Sequence, residues 1–404
     1  MPSRAPLCAG LAACALSLTP WSAAHAQRAQ EVVDLIVREG PRAVAIRAET
    51  EVVSHEQAAR RAWPNPSVAY SREGAGFTEF FQVEQSLPLF GIRDALSRAG
   101  VAAVRAAEAE RDARLWALRA DANSAIARLL AARAKVGVID AAVARVARLI
   151  EMLRIREREG EGSRFDRARA EYELGEARRD AADAHVAVVE ARAELVGLLP
   201  HGAPLPELTE PVVVARAVSD EATLVAQAAS ARAELRALRF AADQARGEVS
   251  VAHSVRGPQP HLIGGIKRAD DDGERRRGGL FGVSVSIPLF DSGGREGARW
   301  DAEARRIESE HLAIEQRIRA EVAGAVAVLK ARQDLVSTTS VATSADDLIE
   351  MADVAYREGD INIVALLDAL RTAARSRARD VDVQLEARLA QVALERAVGG
   401  VLWP

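Results

Sequence analysis

The chain repeats itself at a spacing of about 200 residues, and this internal duplication limits its fold more than any other feature. Ser86-Leu87-Pro88-Leu89-Phe90 returns 200 residues later as Ser286-Ile287-Pro288-Leu289-Phe290. Leu149-Ile150-Glu151-Met152 returns as Leu348-Ile349-Glu350-Met351, and each copy has a glycine eight residues beyond its methionine. Two separate matches at nearly one period predict two copies of one structural unit.

Each unit is predicted to contain a very long helix. No proline occurs between Pro88 and Pro200 or between Pro288 and Pro404, and a proline inside a helix would remove a hydrogen bond. Apolar residues in both windows follow alternating three- and four-residue steps, the seam of a coiled coil. They are Leu115, Leu118, Ala122, Ile126, Leu129, Ile139, Val143, Val146, Ile150 and Leu153, then Ile314, Ile318, Val322, Val326 and Leu329. A helix over residues 92–158 would be about 100 Å long, so it must pack against others.

The long helix of each unit is predicted to end at a glycine in a polar turn, Gly160 or Gly359. Glycine favours the left-handed conformation that closes a helix, and a short turn makes the next helix antiparallel. Each unit therefore contains a helical hairpin.

A pair of strands is predicted ahead of each long helix, because apolar residues there alternate with small or polar ones. We predict that the apolar side chains face lipid: Phe81, Val83, Leu87, Phe281, Val283, Val285 and Ile287. Glu84 would lie on the opposite, lumenal face. Four strands of about ten residues could cross a bilayer but could not close a barrel, and open edges are excluded from lipid, so several protomers must pool their strands. Half-buried strands of a soluble sheet are the alternative.

The first 26 residues have the layout of a secretory signal: a basic residue, an apolar stretch, and a small-residue site at Ala24-His25-Ala26. Cleavage is expected after Ala26. Cys8 and Cys14, the two cysteines of the chain, both lie in this segment. Leu11-Ala12-Ala13-Cys14 also fits the pattern at which bacterial lipoproteins are acylated, so lipidation of Cys14 stays an alternative.

The repeat and the predicted elements divide the chain as follows. Residues 1–26 are the signal peptide, 27–63 an N-terminal helical segment, 64–199 the first repeat, 200–217 an equatorial loop between the repeats, 218–398 the second repeat, and 399–404 a short tail. The first repeat contains strands 66–72 and 78–89 and helices 92–158 and 165–199. The second contains helix 218–254, strands 260–268 and 279–289, and helices 293–357 and 363–398.

This arrangement resembles the TolC family of outer membrane efflux proteins, and its plan is most similar to the heavy-metal and general efflux branch. The residues that carry the resemblance are Pro64-Asn65-Pro66, the joints at Pro88 and Pro288, and Tyr356-Arg357-Glu358-Gly359 leading into Leu366-Leu367-Asp368-Ala369. Together they span nearly the whole chain after the signal.

The resemblance implies a mostly α-helical protein with a membrane β-barrel. It implies a homotrimer, in which twelve strands form one barrel in the outer membrane lipid and the helical hairpins continue as a tunnel through the periplasm. Such a protein is the passive exit duct of a tripartite efflux or type I secretion system. Its implied partners are a periplasmic adaptor (membrane fusion) protein and an inner-membrane pump of the RND or ABC type.

The resemblance also assigns residues to a gate at the periplasmic entrance, which the turns at Gly160 and Gly359 would form. Asp166 and Tyr356 resemble a hydrogen-bonded pair between neighbouring helical hairpins, and Asp368 matches an acidic position that forms a ring in the pore of some members. Ring carboxylates favour cations.

Alternative roles for these gate residues stay open. Asp368 could equally belong to a solvated helix face, and Tyr356 to ordinary packing. The chain also departs from the family, because Ala365 stands where a second acidic ring occurs in some members, and Ile361 where an arginine occurs. Fewer polar contacts would then close the entrance.

Composition and motifs argue against other functions. Basic and acidic residues number 54 and 58 and give a net charge of −4, so no single-sign field would attract nucleic acid. His55 lacks the second histidine of a zinc helix motif, and Gly160-Glu161-Gly162 lacks the rest of a dinucleotide loop. We therefore expect no enzyme activity, cofactor or metal site. A periplasmic helical-hairpin adaptor or spacer without a barrel is the alternative function, although it would not need apolar strand pairs. The sequence does not identify the cargo.

Overall fold

A computed structural model describes residues 21–74, 78–213, 217–271, 274–290, 292–341 and 345–403. In the first repeat and the segment before it, the described elements are α1 (Trp21–Glu39), α2 (Pro41–Arg60), β1 (Ser67–Glu73), β2 (Thr78–Ser86), α3 (Ile92–Glu159) and α4 (Arg164–Val196). In the second repeat they are α5 (Glu221–Ala231), α6 (Ala233–Ser254), β3 (Gln259–Asp271), β4 (Glu274–Ser286), α7 (Gly294–Val341), α8 (Ala345–Glu358) and α9 (Ile363–Val398).

The strands form one antiparallel sheet in the order β1-β2-β3-β4, so the hairpins of the two repeats pair side by side. The register places Tyr70, Phe81, Ile266 and Gly279 in one row across the four strands. Strands β1 and β4 are the edges of this sheet, and the backbone groups on their outer sides have no strand partner among the described residues. This open sheet lies at one end of the molecule.

Helix α3 is the backbone of the molecule, with 68 residues and a length of about 100 Å. It packs against α2 and α6 near the sheet and against α4 and α9 farther along. The predicted seam is the buried face: Leu118, Ala122, Ile126 and Leu129 are at most 4% exposed. The rod is held by packing along this face, because an isolated helix is only marginally stable.

Four clusters of buried apolar residues occur among the described residues, and one of them joins α6 to the first part of α7. The other three combine more elements. One joins α1, the middle of α3 and the loop after α4, where Leu208 and Val212 are buried. A second joins α5, α7 and the end of α9. A third lies at the glycine turns and combines residues of both repeats. The two repeats thus share their cores and form one body.

The structure corrects the single helix predicted over residues 218–254. The chain breaks at Arg232, which has extended backbone angles (φ −62°, ψ 115°) between α5 and α6. Its buried guanidinium donates hydrogen bonds to the carbonyl oxygens of Arg396 (3.1 Å) and Ala397 (3.0 Å). The break therefore directs a cation to the last carbonyls of α9, which lack helical partners.

Other predicted boundaries also differ. Strands β2 and β4 end at Ser86 and Ser286, three residues earlier than predicted, and β4 begins at Glu274 rather than at residue 279. The helix predicted over residues 293–357 appears as α7 and α8, and residues 342–344 lie outside the described residues.

Within the described ranges, no helix combines the length and hydrophobicity that crossing a bilayer requires. Residues 1–20 of the predicted signal, including Cys8 and Cys14, lie outside the described residues, and α1 begins at Trp21.

Candidate functional site

One face of the sheet is apolar and exposed. On this face Phe281 is 77% exposed, Tyr70 62% and Phe81 51%, values unlike those of a core face. The register places nine such side chains together: Val68, Tyr70, Phe81, Val83, Leu262, Ile266, Phe281, Val283 and Val285. We call them the apolar band. A contiguous apolar patch of this kind marks a surface that another apolar phase covers.

The opposite face of the sheet consists mostly of small and polar residues, with Phe80, Ile263 and Leu280 among them. The carboxylate of Glu84 lies 3.3 Å from His261 Nδ1 and accepts a hydrogen bond of 3.3 Å from the hydroxyl of Ser284. Gly265 and Gly282 lie on the same face, and a Cβ added at Gly265 would lie only 2.3 Å from the carbonyl oxygen of Phe81, so β2 and β3 approach closely there. Glu84 therefore lies on the face opposite the apolar band, as predicted for a lumenal residue.

Identical turns join the strands to the long helices in the two repeats. The backbone N–H of Leu89 donates to the carbonyl oxygen of Leu87 across Pro88 (2.8 Å), and that of Leu289 donates to Ile287 across Pro288 (3.0 Å). These are three-residue turns centred on proline, whose fixed φ suits them. The turns explain why the strands stop early.

Two of the residues predicted to face lipid lie in these turns. Leu87 and Ile287 follow the ends of β2 and β4, although the N–H of Leu87 still donates to the carbonyl oxygen of Pro260 (3.0 Å). The other five predicted residues are all members of the apolar band. That these side chains face lipid stays a prediction. Four members of the band were missed: Val68, Tyr70, Leu262 and Ile266. In β3 the alternation is hidden, because Gly264 lies on the face of the band and Ile263 on the other face.

The opposite end of the molecule is formed by the two glycine turns, which have the same geometry. Gly160 and Gly359 have φ of +82° and +86°. In each turn the glycine N–H bonds three residues back (3.2 and 3.3 Å) and the next N–H five residues back (both 2.9 Å), which is the Schellman motif. Ser163 and Asn362 then cap the following helices. The duplication therefore extends to individual hydrogen bonds.

Arg167 joins the two helices of the first hairpin near its turn. Its guanidinium lies 2.6 Å from the carboxylate of Glu157 on α3 and 2.7 Å from that of Glu171 on α4. The hydrogen bond from Arg167 lowers the pKa of Glu171 below its usual value. Both carboxylates raise the pKa of Arg167, so this link is charged at neutral pH.

The predicted gate residues lie at this end of the molecule, but one chain does not bring them all together. Tyr356 packs against the apolar cluster at the turns, with the guanidinium of Arg156 5.8 Å from its ring centre. Among the side chains described, no hydrogen bond joins Tyr356 to Asp166. That pairing stays a prediction.

Asp368 is half of an ion pair. Its carboxylate is 61% exposed and lies 2.5 Å from Arg371 Nη2, one turn along α9. Arg371 is also 3.9 Å from Glu173, and the hydrogen bond that Arg371 donates to Asp368, together with the field of Glu173, raises the pKa of Arg371. The acid that the family resemblance places in a ring therefore carries its own counter-charge.

Among the described residues, no three side chains of His, Cys, Asp or Glu are grouped as a metal ion would require.

Comparison with known proteins gives consistent results. Residues 224–400 match the family described as outer membrane efflux protein, whereas no curated protein sequence is significantly similar to the chain. The structure is similar to that of CusC, which forms a transmembrane channel (TM-score 0.73, 16% identity, 93% of this chain and 92% of CusC). It is also similar to the outer membrane protein VceC from Vibrio cholerae (0.72, 18%, 94% and 98%) and to the outer-membrane channel OprN (0.70, 18%, 93% and 90%).

Proposed function

Because residues 224–400 match the family described as outer membrane efflux protein and 93% of the chain has a fold similar to that of CusC and OprN, we propose that the protein is a subunit of an outer-membrane exit duct. The observation that carries this proposal is the sheet, which has one exposed apolar face, one polar face and two open edges. A sheet of this kind is stable in lipid only as part of a closed ring.

The ring is a homotrimer in which β4 of one protomer pairs with β1 of the next. Three copies of the four-stranded sheet give twelve strands, and the apolar band faces lipid on the outside while the face with Glu84 lines the lumen. The members of the band lie on alternate residues of each strand and together cover about 20 Å along it, somewhat less than the height expected of a lipid-facing band.

The helical rods extend this ring as a tunnel toward the periplasm and end at the glycine turns. Asp166, Tyr356 and Asp368 form the closing contacts there, and the duct opens when these contacts are broken. The duct is a passive conduit that supplies a continuous aqueous path and no chemistry of its own.

The partners are a periplasmic adaptor and an inner-membrane pump of the RND or ABC type. A groove of about 740 Å³ between α3, α4 and α9 offers a docking surface for the adaptor, with exposed Tyr172, Arg169 and Arg375 on its walls. Long apolar and charged side chains along one groove suit a helical partner.

Disulfide cross-linking tests the ring directly. Pairs that join Ala69→Cys on β1 to Leu280→Cys, Gly282→Cys or Ser284→Cys on β4 should produce a ladder of linked protomers that stops at three. The matched control is Ala69→Cys with Gln82→Cys, which are register partners within one chain and should give only monomers. A ladder that continues beyond three, or no linkage for any pair in membranes, would contradict the closed trimer.

A second test separates the exit duct from the adaptor or spacer. The duct should fractionate with the outer membrane, conduct ions in planar bilayers and, when deleted, raise the cell's sensitivity to exported compounds. An adaptor or spacer would instead wash off or follow the inner membrane, and it would not conduct.

A further inference from the structure

A row of charged residues lies at the edge of the apolar band that is farther from the helices. Arg72, Glu79, Arg268 and Arg277 are register partners across the four strands. They stand two residues beyond the row of Tyr70 and Phe81, so strand alternation places them on the same face as the band. We call them the arginine row. It has three positive charges and one negative charge.

The centre of the arginine row brings two like charges together. Arg268 and Arg277 are direct cross-strand partners, a position in which side chains are about 5 Å apart at Cβ and like charges destabilise the pair. Both side chains are exposed. Among the described side chains, no carboxylate oxygen lies within 4.0 Å of either guanidinium group.

The neighbouring arginines of the same hairpin differ in this respect. Arg275 has Asp270 at 4.0 Å and Arg276 has Glu274 at 3.4 Å. In the row itself, Glu79 accepts a hydrogen bond from the hydroxyl of Tyr70 (3.1 Å). Arg268 and Arg277 therefore lack a carboxylate within 4.0 Å among the described side chains, whereas Arg275 and Arg276 each have one.

We propose that the arginine row binds the phosphate groups of lipid headgroups in the leaflet that faces away from the helices. This inference rests on the proposed function, because that function places the apolar band among acyl chains and so places the row at headgroup level. A guanidinium group can donate two parallel hydrogen bonds to the oxygens of one phosphate group. Two adjacent arginines therefore suit a phosphorylated headgroup. Because Arg268 and Arg277 sit at the centre of the row, each protomer offers one such site on its outer surface.

The test compares two double variants in the full-length trimer. Arg268→Gln with Arg277→Gln removes the pair from the row. Lys267→Gln with Arg276→Gln removes the same charge from the adjacent residues of the same strands, whose side chains face the lumen. Each protein is placed in nanodiscs of phosphatidylcholine with or without diphosphorylated lipid A, and bound lipid A is counted by native mass spectrometry at low and high salt.

The wild type and the lumenal double variant should retain lipid A, and the row variant should retain about tenfold less, as expected when charge-assisted hydrogen bonds are lost. Binding should also weaken with added salt. Retention by the row variant equal to that of the wild type would overturn the proposal, as would an equal loss in both variants. If the wild type fails to enter nanodiscs of either composition, the proposed function itself fails, and the two failures are thus distinct.

Discussion

At the scale of single residues, a partly buried ion pair joins the N-terminal segment to the second repeat. Glu248 of α6 is 5% exposed, and Arg60 of α2 meets both of its carboxylate oxygens, at 2.5 and 2.9 Å. Gln57, also buried, adds its side-chain oxygen at 3.1 Å. The hydrogen bonds that Arg60 donates to Glu248 raise the pKa of Arg60, so the arginine stays charged. This contact fixes α2 close to the strand-to-helix joint.

The pair predicts an asymmetric response to mutation. Arg60→Met should lower the free energy of unfolding by about 3 kcal/mol, because it leaves Glu248 as an uncompensated buried charge. Arg60→Met with Glu248→Leu should recover most of this loss, since an apolar pair can replace a buried ion pair. Denaturant or thermal unfolding of the purified trimer measures both. Arg114→Met, which breaks the exposed pair with Glu49, is the control and should change little. A double variant as unstable as the single one would contradict this account.

At the scale of elements, small residues let two of the packed helices approach each other closely. Helices α3 and α6 pack through alanines, and a Cβ added at Gly247 of α6 would lie 2.8 Å from the Cα of Ala99 on α3. Only a glycine avoids this overlap. Alanine stripes and one glycine therefore determine the spacing of the two helices near the sheet.

Gly247→Ala should therefore destabilise the protein by about 1–3 kcal/mol, the usual cost of overpacking. Gly137→Ala makes the same chemical change within α3, where an added Cβ meets nothing within 4 Å, and should stabilise by up to about 1 kcal/mol through helix propensity. The two thermal midpoints should move in opposite directions. A shift of both in the same direction would show that propensity, rather than close packing, determines the response.

The elements also show which features of the fold could be predicted from the sequence. The long helices, the glycine turns and the strand pairs could be predicted because each depends on local rules: proline exclusion, glycine at positive φ, and periods of 3.5 and 2. The break at Arg232 could not, since its cause is a long-range contact with the end of α9. The early strand ends follow from turns at Pro88 and Pro288 that continue the apolar alternation without strand pairing. The gate pairing involves neighbouring hairpins and thus depends on how protomers assemble.

At the scale of the whole molecule, the two ends of the protein have different surfaces, and each repeat contributes to both ends. The sheet presents apolar side chains outward, and the glycine turns, about 100 Å away along α3, present charged ones. Duplication lets each chain contribute two hairpins to both ends. If the turns form the entrance of the proposed duct, the charge that they carry would determine which ions enter it.

That charge depends on the pairing of Asp368 with Arg371. In a trimer the two residues would form rings of opposite sign one helical turn apart, so their fields largely cancel at the entrance. Arg371→Gln should expose the acidic ring and raise the cation-to-anion permeability ratio by about tenfold, since a unit charge about 6 Å from an ion in water favours a cation and disfavours an anion by about 0.7 kcal/mol each. Asp368→Asn should lower the ratio by a similar factor.

Reversal potentials under a salt gradient in planar bilayers measure these ratios. Arg379→Gln, which removes an exposed arginine two turns farther along α9, is the control and should leave the ratio close to that of the wild type. The double variant Asp368→Asn with Arg371→Gln should also return to it, because both rings are then neutral. If Arg371→Gln changes selectivity no more than Arg379→Gln does, Asp368 lies on the outer, solvated surface of the tunnel and the narrowest charged ring must be formed by other residues near the turns.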